Sequence, residues 1–338
     1  MNKILTKNLS KQNILIDNHG RTINYLRLSV TDRCNYRCTY CMPEKMKFLP
    51  KKDLLTFEEM DHLCSLFISR GIKNIRLSGG EPLVRKGIFK FISNLSRYIS
   101  NGDIDEITLT TNGSQLKSFS DDLFQSGVRR INVSLDSLSE KKFNQITRRD
   151  DLNNVIDGLE AAKKAGLKIK INTVVIKNKN LDEIENIISW SHKNNFDISL
   201  IETMPMGLTD KDRIDQYISL SDVKSIIEKK LTLTDSNYKT SGPSKYYRVK
   251  ETDGLIGFIT PLSDNFCSSC NRIRLTSTGK LYMCLGQNYN IDFRNLLRKG
   301  DEKSLNLAID SAMKNKPKSH DFDISHKNQT PAVDRHMS

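Results

Sequence analysis

Three cysteines fall within eight positions, at Cys34, Cys38 and Cys41, in the stretch TDRCNYRCTYC. Three more stand at Cys267, Cys270 and Cys284, in FCSSCNRIRLTSTGKLYMC. Closely spaced thiolates favour a soft metal or an iron–sulfur cluster. Three is one short of the four ligands that a structural zinc or an ordinary cluster takes. Either a distant residue completes each set, or a coordination position is left open. Zinc motifs commonly pair two CxxC units, which the first triplet does not do. The CxxC of the second triplet is a frequent zinc half-site, so zinc stays an alternative there. The seventh cysteine, Cys64, lies on the apolar side of a helical pattern in FEEMDHLCSLFISRG and reads as core filler.

Other polar motifs accompany the cysteines. In NRIR, Arg272 and Arg274 stand two apart and project to one side if the segment is extended. Guanidinium groups bind phosphate bidentately and keep their charge. No GxxxxGK[ST] loop occurs in the chain, so a bound triphosphate would rest on such side chains. In GGEP (79–82) two glycines allow a close backbone approach to a ligand, an ordinary loop turn being the bland reading.

These groups need elements to position them. From about residue 25 to 204, short β-branched runs alternate with helical patterns. The strand candidates are YLRLSV (25–30), NIRLSG (74–79), EITLTT (106–111), RINVSL (130–135), KIKINTVV (168–175) and DISLIETM (197–204). The helical stretches between them begin near Thr, Asn or Asp and end near Gly or Asn, as caps require. Such alternation predicts a parallel sheet with right-handed crossovers, either open or a partial barrel. TDRCNYRCTYC follows the first strand, GGEP the second, TTNG (110–113) the third and SLD (134–136) the fourth, and Met204 ends the sixth. Parallel α/β folds build their active sites at these carboxyl ends.

After about residue 205 the rhythm stops. MGLTDKDRIDQY reads as a loop, SLSDVKSIIEKKL as a helix opened by a Ser cap, and YYRVKETDGLIGFITPL as a hairpin around Asp253-Gly254. The polar tail from Lys314 is expected on the surface or wrapped over the first part. The domain reading is an N-terminal extension over 1–24, an α/β unit over 25–205, and a C-terminal region over 206–338.

A hydrophobic content of 37% suits a globular chain, and the net charge of +13 suits a phosphate-rich partner. Most single lysines are expected only to solvate the surface. A nucleic-acid-binding protein would gather its basic residues on one face with interleaved aromatics. Here aromatics are 7% and the basic residues are spread, so no nucleic-acid partner is expected. The N-terminus has no signal-peptide pattern, and no run approaches the ~20 apolar residues of a membrane span. The expectation is a cytoplasmic chain without a membrane partner, with reduced thiols that serve metal rather than disulfides.

The Cys-x3-Cys-x2-Cys spacing, with Tyr40 just before the last cysteine, resembles the radical S-adenosylmethionine superfamily. LRLSVTDRCNYRCTYCMP, IRLSGGEPLVR, LTTNG, RRINVSLDSL and FCSSCNRIRLTSTGKLYMCL together resemble the GTP 3′,8-cyclase family, from roughly Gly20 to Arg335. The resemblance implies a partial (βα)6 TIM-like barrel with a C-terminal α+β region carrying a second iron–sulfur cluster, and generally a homodimer. It implies that Cys34, Cys38 and Cys41 hold one [4Fe–4S] cluster and Cys267, Cys270 and Cys284 another, all as ligands. Tyr40, Gly80, Ser134 and Met204 would contact S-adenosylmethionine. Arg27, Arg76, Thr110, Lys170, Arg272, Ile273 and Arg274 would contact GTP. The implied reaction is radical cyclisation of GTP to (8S)-3′,8-cyclo-7,8-dihydroguanosine 5′-triphosphate, the first step of molybdenum-cofactor biosynthesis. The product would pass to cyclic pyranopterin monophosphate synthase.

Two departures from the family stand out. Ser199, in SLIETM, takes a place where the family often carries Arg, which predicts a weaker phosphate contact. The sequence ends DRHMS where family members end in a Gly-Gly tail. Fold and clusters are expected to survive both changes, with activity the property at stake. The competing radical reading, a peptide-modifying enzyme with an auxiliary cluster, would need a recognition module before Tyr25, where too few residues stand for a folded domain.

Overall fold

A computed structural model of the chain describes residues 14–206 and 214–324. The first unit shows how local signals build the rest. Strand β1 (Tyr25–Ser29) leads through the first cysteine loop to helix α1 (Phe57–Ser69). Thr56 caps that helix: its hydroxyl accepts from Glu59 N at 3.1 Å, while Thr56 N donates to the Glu59 carboxylate at 2.8 Å. Met60, Leu63, Cys64 and Phe67 recur at helical spacing and are fully buried, so Cys64 is core, as its pattern predicts.

The rhythm repeats through β2 (Asn74–Ser78), α2 (Ile88–Ser100), β3 (Glu106–Thr111), α3 (Leu116–Gln125), β4 (Arg130–Ser134), α4 (Glu140–Thr147), α5 (Leu152–Lys164), β5 (Lys168–Val175), α6 (Ile184–Lys193) and β6 (Asp197–Glu202). Then come α7 (Leu220–Ile227), capped by Ser219, and β7 (Leu233–Asp235), β8 (Lys245–Val249) and β9 (Leu255–Ile259). The chain continues with β10 (Arg272–Leu275), β11 (Lys280–Tyr282), β12 (Asn290–Asp292), α8 (Arg294–Arg298) and α9 (Glu302–Lys314).

One sheet joins all twelve strands, in the order β12-β11-β10-β1-β2-β3-β4-β5-β6-β9-β8-β7. Strands β1 to β6 pair in parallel, in sequence order. The later segment supplies a further parallel strand at each side, β10 beside β1 and β9 beside β6. The predicted hairpin is β8–β9, and its antiparallel pairing, like that of β10–β11, ends the parallel run.

Alternation along the strands decides what the sheet encloses. Leu26, Leu28, Ile75, Leu77, Ile107, Leu109, Ile131, Val133, Ile169, Ile171, Ile198 and Leu200 all turn outward into the helix-covered core. The intervening residues are polar and lie in cross-strand register: Arg27 opposite Arg76, Arg76 opposite Thr108, Thr108 opposite Arg130, and Thr110, Asn132 and Lys170 in a second row. Inward residues of β1 to β6 and of β10 line a single cavity, so the sheet curls into an open barrel whose lumen carries these polar rows beside apolar residues such as Val174 and Ile201. This is the partial barrel expected above.

The tail packs against the N-terminal extension and the C-terminal region rather than over the 25–205 unit. Arg21 donates to the carbonyls of Pro317 and Lys318 at 2.5 and 2.9 Å. The last residues, DRHMS, and most of the MGLTDKDRIDQY loop lie outside the described residues. Among the described residues, no helix is long and apolar enough to cross a membrane.

Candidate active site

The first triad sits in the loop that leaves β1, and GGEP fixes that loop. Gly80 N donates to Thr31 O at 2.9 Å and Glu81 N to Arg33 O at 2.8 Å. A Cβ on Gly80 would lie 2.2 Å from Arg33 O, and one on Gly79, which has φ +148°, would lie 2.5 Å from Thr31 O. The glycines are therefore required by the cysteine loop's own backbone, a reason the sequence does not display.

Glu81 then ties this corner to the next strand. Its fully buried carboxylate accepts from Leu83 N at 3.0 Å, Thr111 Oγ1 at 2.8 Å and Asn112 N at 2.7 Å. Asn112 in turn aims its amide at Cys34 Sγ, 3.8 Å away, and Tyr36 N donates to the same sulfur at 3.4 Å. On the other side, Tyr40 donates to Asp136 at 2.7 Å, and Asp136 also accepts from Val174 N at 2.8 Å. Burial pushes the Cys34 thiol up to about 11 and the Cys38 thiol well above its usual value. It likewise holds the Glu81 and Asp136 carboxyls up, at about 7 and about 6.

The second triad has different neighbours. Cys267 and Cys270 lie in the turn before β10, and Cys284 follows β11. Arg272 Nη2 stands 4.0 Å from Cys270 Sγ and Lys316 Nζ 3.7 Å from it. Burial alone would raise the Cys270 thiol, but these two cations outweigh it and bring the thiol down to about 7. Glu202, at the end of β6, holds the approach to this turn by accepting from Leu262 N at 2.8 Å and Ser263 N at 3.2 Å.

One cavity joins the two triads. Its lining includes Tyr40, Cys41, Ser134 and Met204 on the first side, and Cys267, Cys270 and Cys284 on the second. Arg27, Arg76, Thr110, Arg272 and Arg274 also line it. Several of these groups await a polar partner: Tyr25 Oη, Arg27 Nε, Arg76 Nη2, Thr110 Oγ1 and Asn172 Oδ1 are buried and unpaired among the described residues. Burial first, then Arg274 and Arg76, press the Arg27 guanidinium well below its usual range. Burial and Arg272 bring Arg274 to about 10. A desolvated group of like charges with open donors suits an anionic ligand of several oxygens.

Five expected residues stand apart from this lining: Cys34 and Cys38, whose triad reaches it through Cys41, and Gly80, Lys170 and Ile273. Gly80 is behind the cysteine loop. Lys170 is buried and donates to Tyr246 Oη at 3.1 Å. The Ile273 side chain is turned to the apolar core, because it alternates with Arg272 and Arg274, which leaves it only main-chain contacts. Ser199 is buried and shares a hydrogen bond with Ser244 at 3.1 Å. Sequence reasoning missed Tyr25, Asn172, Glu202, His320 and Phe322, all of which line the cavity. The polar–apolar alternation of YLRLS and KIKIN would have found the first two. His320 and Phe322 arrive on the tail and carry no local signal.

The cysteine geometry tests the metal readings. Among the described residues, no three of His, Cys, Asp and Glu converge on a point where they could share one metal ion. A four-iron cluster asks for something wider, one iron for each cysteine. All seven cysteines are free thiols. Each triad has N–H or cationic donors at a sulfur, the surroundings that support cluster thiolates.

Comparison with known proteins agrees with this architecture. Residues 28–191 match the Radical SAM superfamily, and residues 196–322 match the family described as Molybdenum Cofactor Synthesis C. Among solved structures, SuiB of Streptococcus suis bound to its precursor peptide SuiA superposes with a TM-score of 0.61 at 14% identity. That match covers 87% of this chain and 68% of SuiB. SuiB bound to S-adenosylmethionine gives a TM-score of 0.59 at 15% identity, over 87% and 69%. These two likenesses concern the fold. Sequence similarity goes further. The GTP 3′,8-cyclase of Brucella ovis is 55% identical over 325 residues, 96% of this chain and 94% of the relative. That of Agrobacterium fabrum is 54% identical over 337 residues, 99% of this chain and 96% of the relative. With identity of that level along nearly the whole length, and both triads set around one cavity, the chain belongs to the GTP 3′,8-cyclase family.

Proposed function

We propose that this chain is a radical S-adenosylmethionine enzyme that converts GTP to (8S)-3′,8-cyclo-7,8-dihydroguanosine 5′-triphosphate, the first step of molybdenum-cofactor biosynthesis. The observation that carries the reading is the single cavity lined by Cys41 of the first triad, all three cysteines of the second and four arginines. When bound, S-adenosylmethionine on a [4Fe–4S] cluster held by Cys34, Cys38 and Cys41 supplies a 5′-deoxyadenosyl radical, and a second [4Fe–4S] cluster on Cys267, Cys270 and Cys284 supplies an open iron for the purine.

The remaining work belongs to the chain. Tyr40, Ser134 and Met204 orient the cofactor from the cavity wall, and Gly80 does so through the backbone it holds against the cysteine loop. Arg27, Arg76, Arg272 and Arg274 clamp the triphosphate, with Thr110 as a hydroxyl partner. Lys170 adds charge from beneath Tyr246, and Ile273 contributes main chain only. The polar lumen keeps the nucleotide between the triads, and the outward apolar face of each strand keeps those side chains in place. No side chain acts as a nucleophile, the cysteines being ligands. The division at residue 205 is read as a functional one: the part before it holds the cofactor and contributes Arg27, Arg76, Thr110 and Lys170 to the nucleotide, and the part after it holds the second triad with Arg272 and Arg274. Free thiols support a reducing, cytoplasmic setting. We assign a homodimer that passes its product to cyclic pyranopterin monophosphate synthase, on the strength of the family resemblance.

The test is anaerobic reconstitution with iron and sulfide, followed by S-adenosylmethionine, a reductant and GTP. The expected result is 5′-deoxyadenosine formed together with a cyclised GTP product. A colourless, zinc-loaded protein, or turnover only with a peptide, overturns the reading.

A further inference from the structure

Two cations from opposite ends of the chain meet behind the second triad. Arg21 donates to Cys267 O at 2.7 Å as well as to the tail carbonyls, and Asp17, 2.6 Å from its Nε, balances its charge. Asp17 reaches Lys316 only at longer range, its own contact being with Arg21. Lys316 is 3% exposed, and its ammonium donates to Met283 O at 2.7 Å, to Arg272 O at 3.0 Å and to Cys270 Sγ at 3.7 Å. No carboxylate among the described residues forms an ion pair with it. A buried ammonium held only by carbonyls and a sulfur is costly unless a negative group lies beside it. Three thiolates around a four-iron core provide net negative charge, and one more electron increases it. Lys316 is also absent from the cavity lining, whereas Arg272, the other cation at Cys270, lines it and is available to a ligand.

We propose that Lys316 is a positioning residue for the second cluster: its fixed ammonium at Cys270 favours the more negative, reduced state and raises that cluster's potential. The proposal rests on the reading that Cys267, Cys270 and Cys284 hold a cluster. Cluster potentials follow net charge, hydrogen bonds to sulfur and solvent access. Lys316 supplies the first two from a dry position. The two carbonyls it also binds belong to β10 and to the residue before Cys284, so the same ammonium spans the two segments that carry the ligands.

The experiment is an anaerobic redox titration followed by electron paramagnetic resonance on the reconstituted full-length chain, with Lys316→Met and Lys316→Gln. In the holoenzyme the first cluster is the internal standard; the second is read alone in a Cys34→Ala/Cys38→Ala/Cys41→Ala background. Iron per chain is expected to stay at the parent level. The second cluster's midpoint moves to lower potential in both variants, further in Met, which lacks charge and donor, than in Gln, which keeps a donor. The first cluster's midpoint stays put, and Lys316→Arg returns the second toward the parent value. An unmoved midpoint in Lys316→Met overturns the proposal. So does failure of both variants to hold the second cluster, which would make Lys316 a scaffold residue. If the parent itself holds iron for one cluster only, the two-cluster reading falls first and this proposal with it.

Discussion

The two cysteine triads have the same ligand count and a different balance of charge around them. Around the first stand two buried carboxyls, Glu81 and Asp136, a tyrosine and one guanidinium, Arg37 on Cys34 O at 2.6 Å, and burial raises Cys34 and Cys38. Around the second stand Arg21, Arg272, Arg274 and Lys316, and Cys270 is brought down to about 7. A site short of cations resists added electrons and, once reduced, gives them up readily. A site rich in cations holds negative charge and attracts anions. Ligand sets alone would not distinguish the two, so it is the second layer of side chains that divides the labour.

The largest test of that division removes one cluster at a time. Cys38→Ala should abolish 5′-deoxyadenosine formation altogether, while iron sufficient for one cluster remains. Cys284→Ala should abolish the cyclised GTP product yet leave a first cluster able to cleave S-adenosylmethionine without coupling to GTP. Iron analysis with chromatography of both products reads the outcome. If both variants lose both activities and all iron, the triads assemble as one unit and the comparison breaks.

A second test separates charge at the cavity from cluster assembly. Arg272→Ala and Arg274→Ala each remove a cavity-lining guanidinium beside the second triad. Losing one charge-assisted hydrogen bond of this kind costs about 1.5–3 kcal/mol, so GTP affinity should fall roughly tenfold to a hundredfold. Iron content should be unchanged. Equilibrium binding of GTP to the reconstituted protein decides it, and unaltered affinity in both variants removes the phosphate clamp.

Much of this layout is legible in the sequence, and the gaps have physical causes. β-branched runs bounded by caps locate each of the six parallel strands to within a few residues, because periodicity and capping are local properties. The cysteines and arginines stand out by type. The polar lumen was equally visible, since YLRLS, NIRLS, RINVS and RIRL alternate residue by residue, but it means little until the register aligns the strands. Contacts such as that of Arg21 with Lys318, 297 positions apart, leave no local trace. For the same reason nothing in the polar tail marks Lys316 as buried, or His320 as part of the cavity wall. The strands that flank β1 and β6 come from one C-terminal segment divided between two edges, which no pattern within that segment records.

The smallest effect measures how much negative charge the first triad faces. Glu81 is fully buried and accepts three hydrogen bonds, but these only partly offset its desolvation, so its carboxyl is raised to about 7. A carboxyl raised by folding is favoured in its protonated form. Its contribution to stability is therefore complete below about 4.5 and is lost as pH climbs through about 7. The full span is on the order of 3 kcal/mol, at roughly 1.4 kcal/mol per unit. Asp136 acts in the same sense, and carboxylates held down by folding, such as Asp17, act in the opposite one, so the informative quantity is a difference between variants. In the iron-free protein, thermal unfolding of the wild type and of Glu81→Gln should be followed from about pH 5 to pH 8. Gln removes the proton but also misplaces a donor against Asn112 N, so the variant is less stable at low pH. The wild type's advantage should shrink as pH rises and level off above about 7. A difference that stays constant across the range would mean that Glu81 is ionised throughout. The first triad would then face a full negative charge at neutral pH, and its contrast with the cationic second triad would be sharper still.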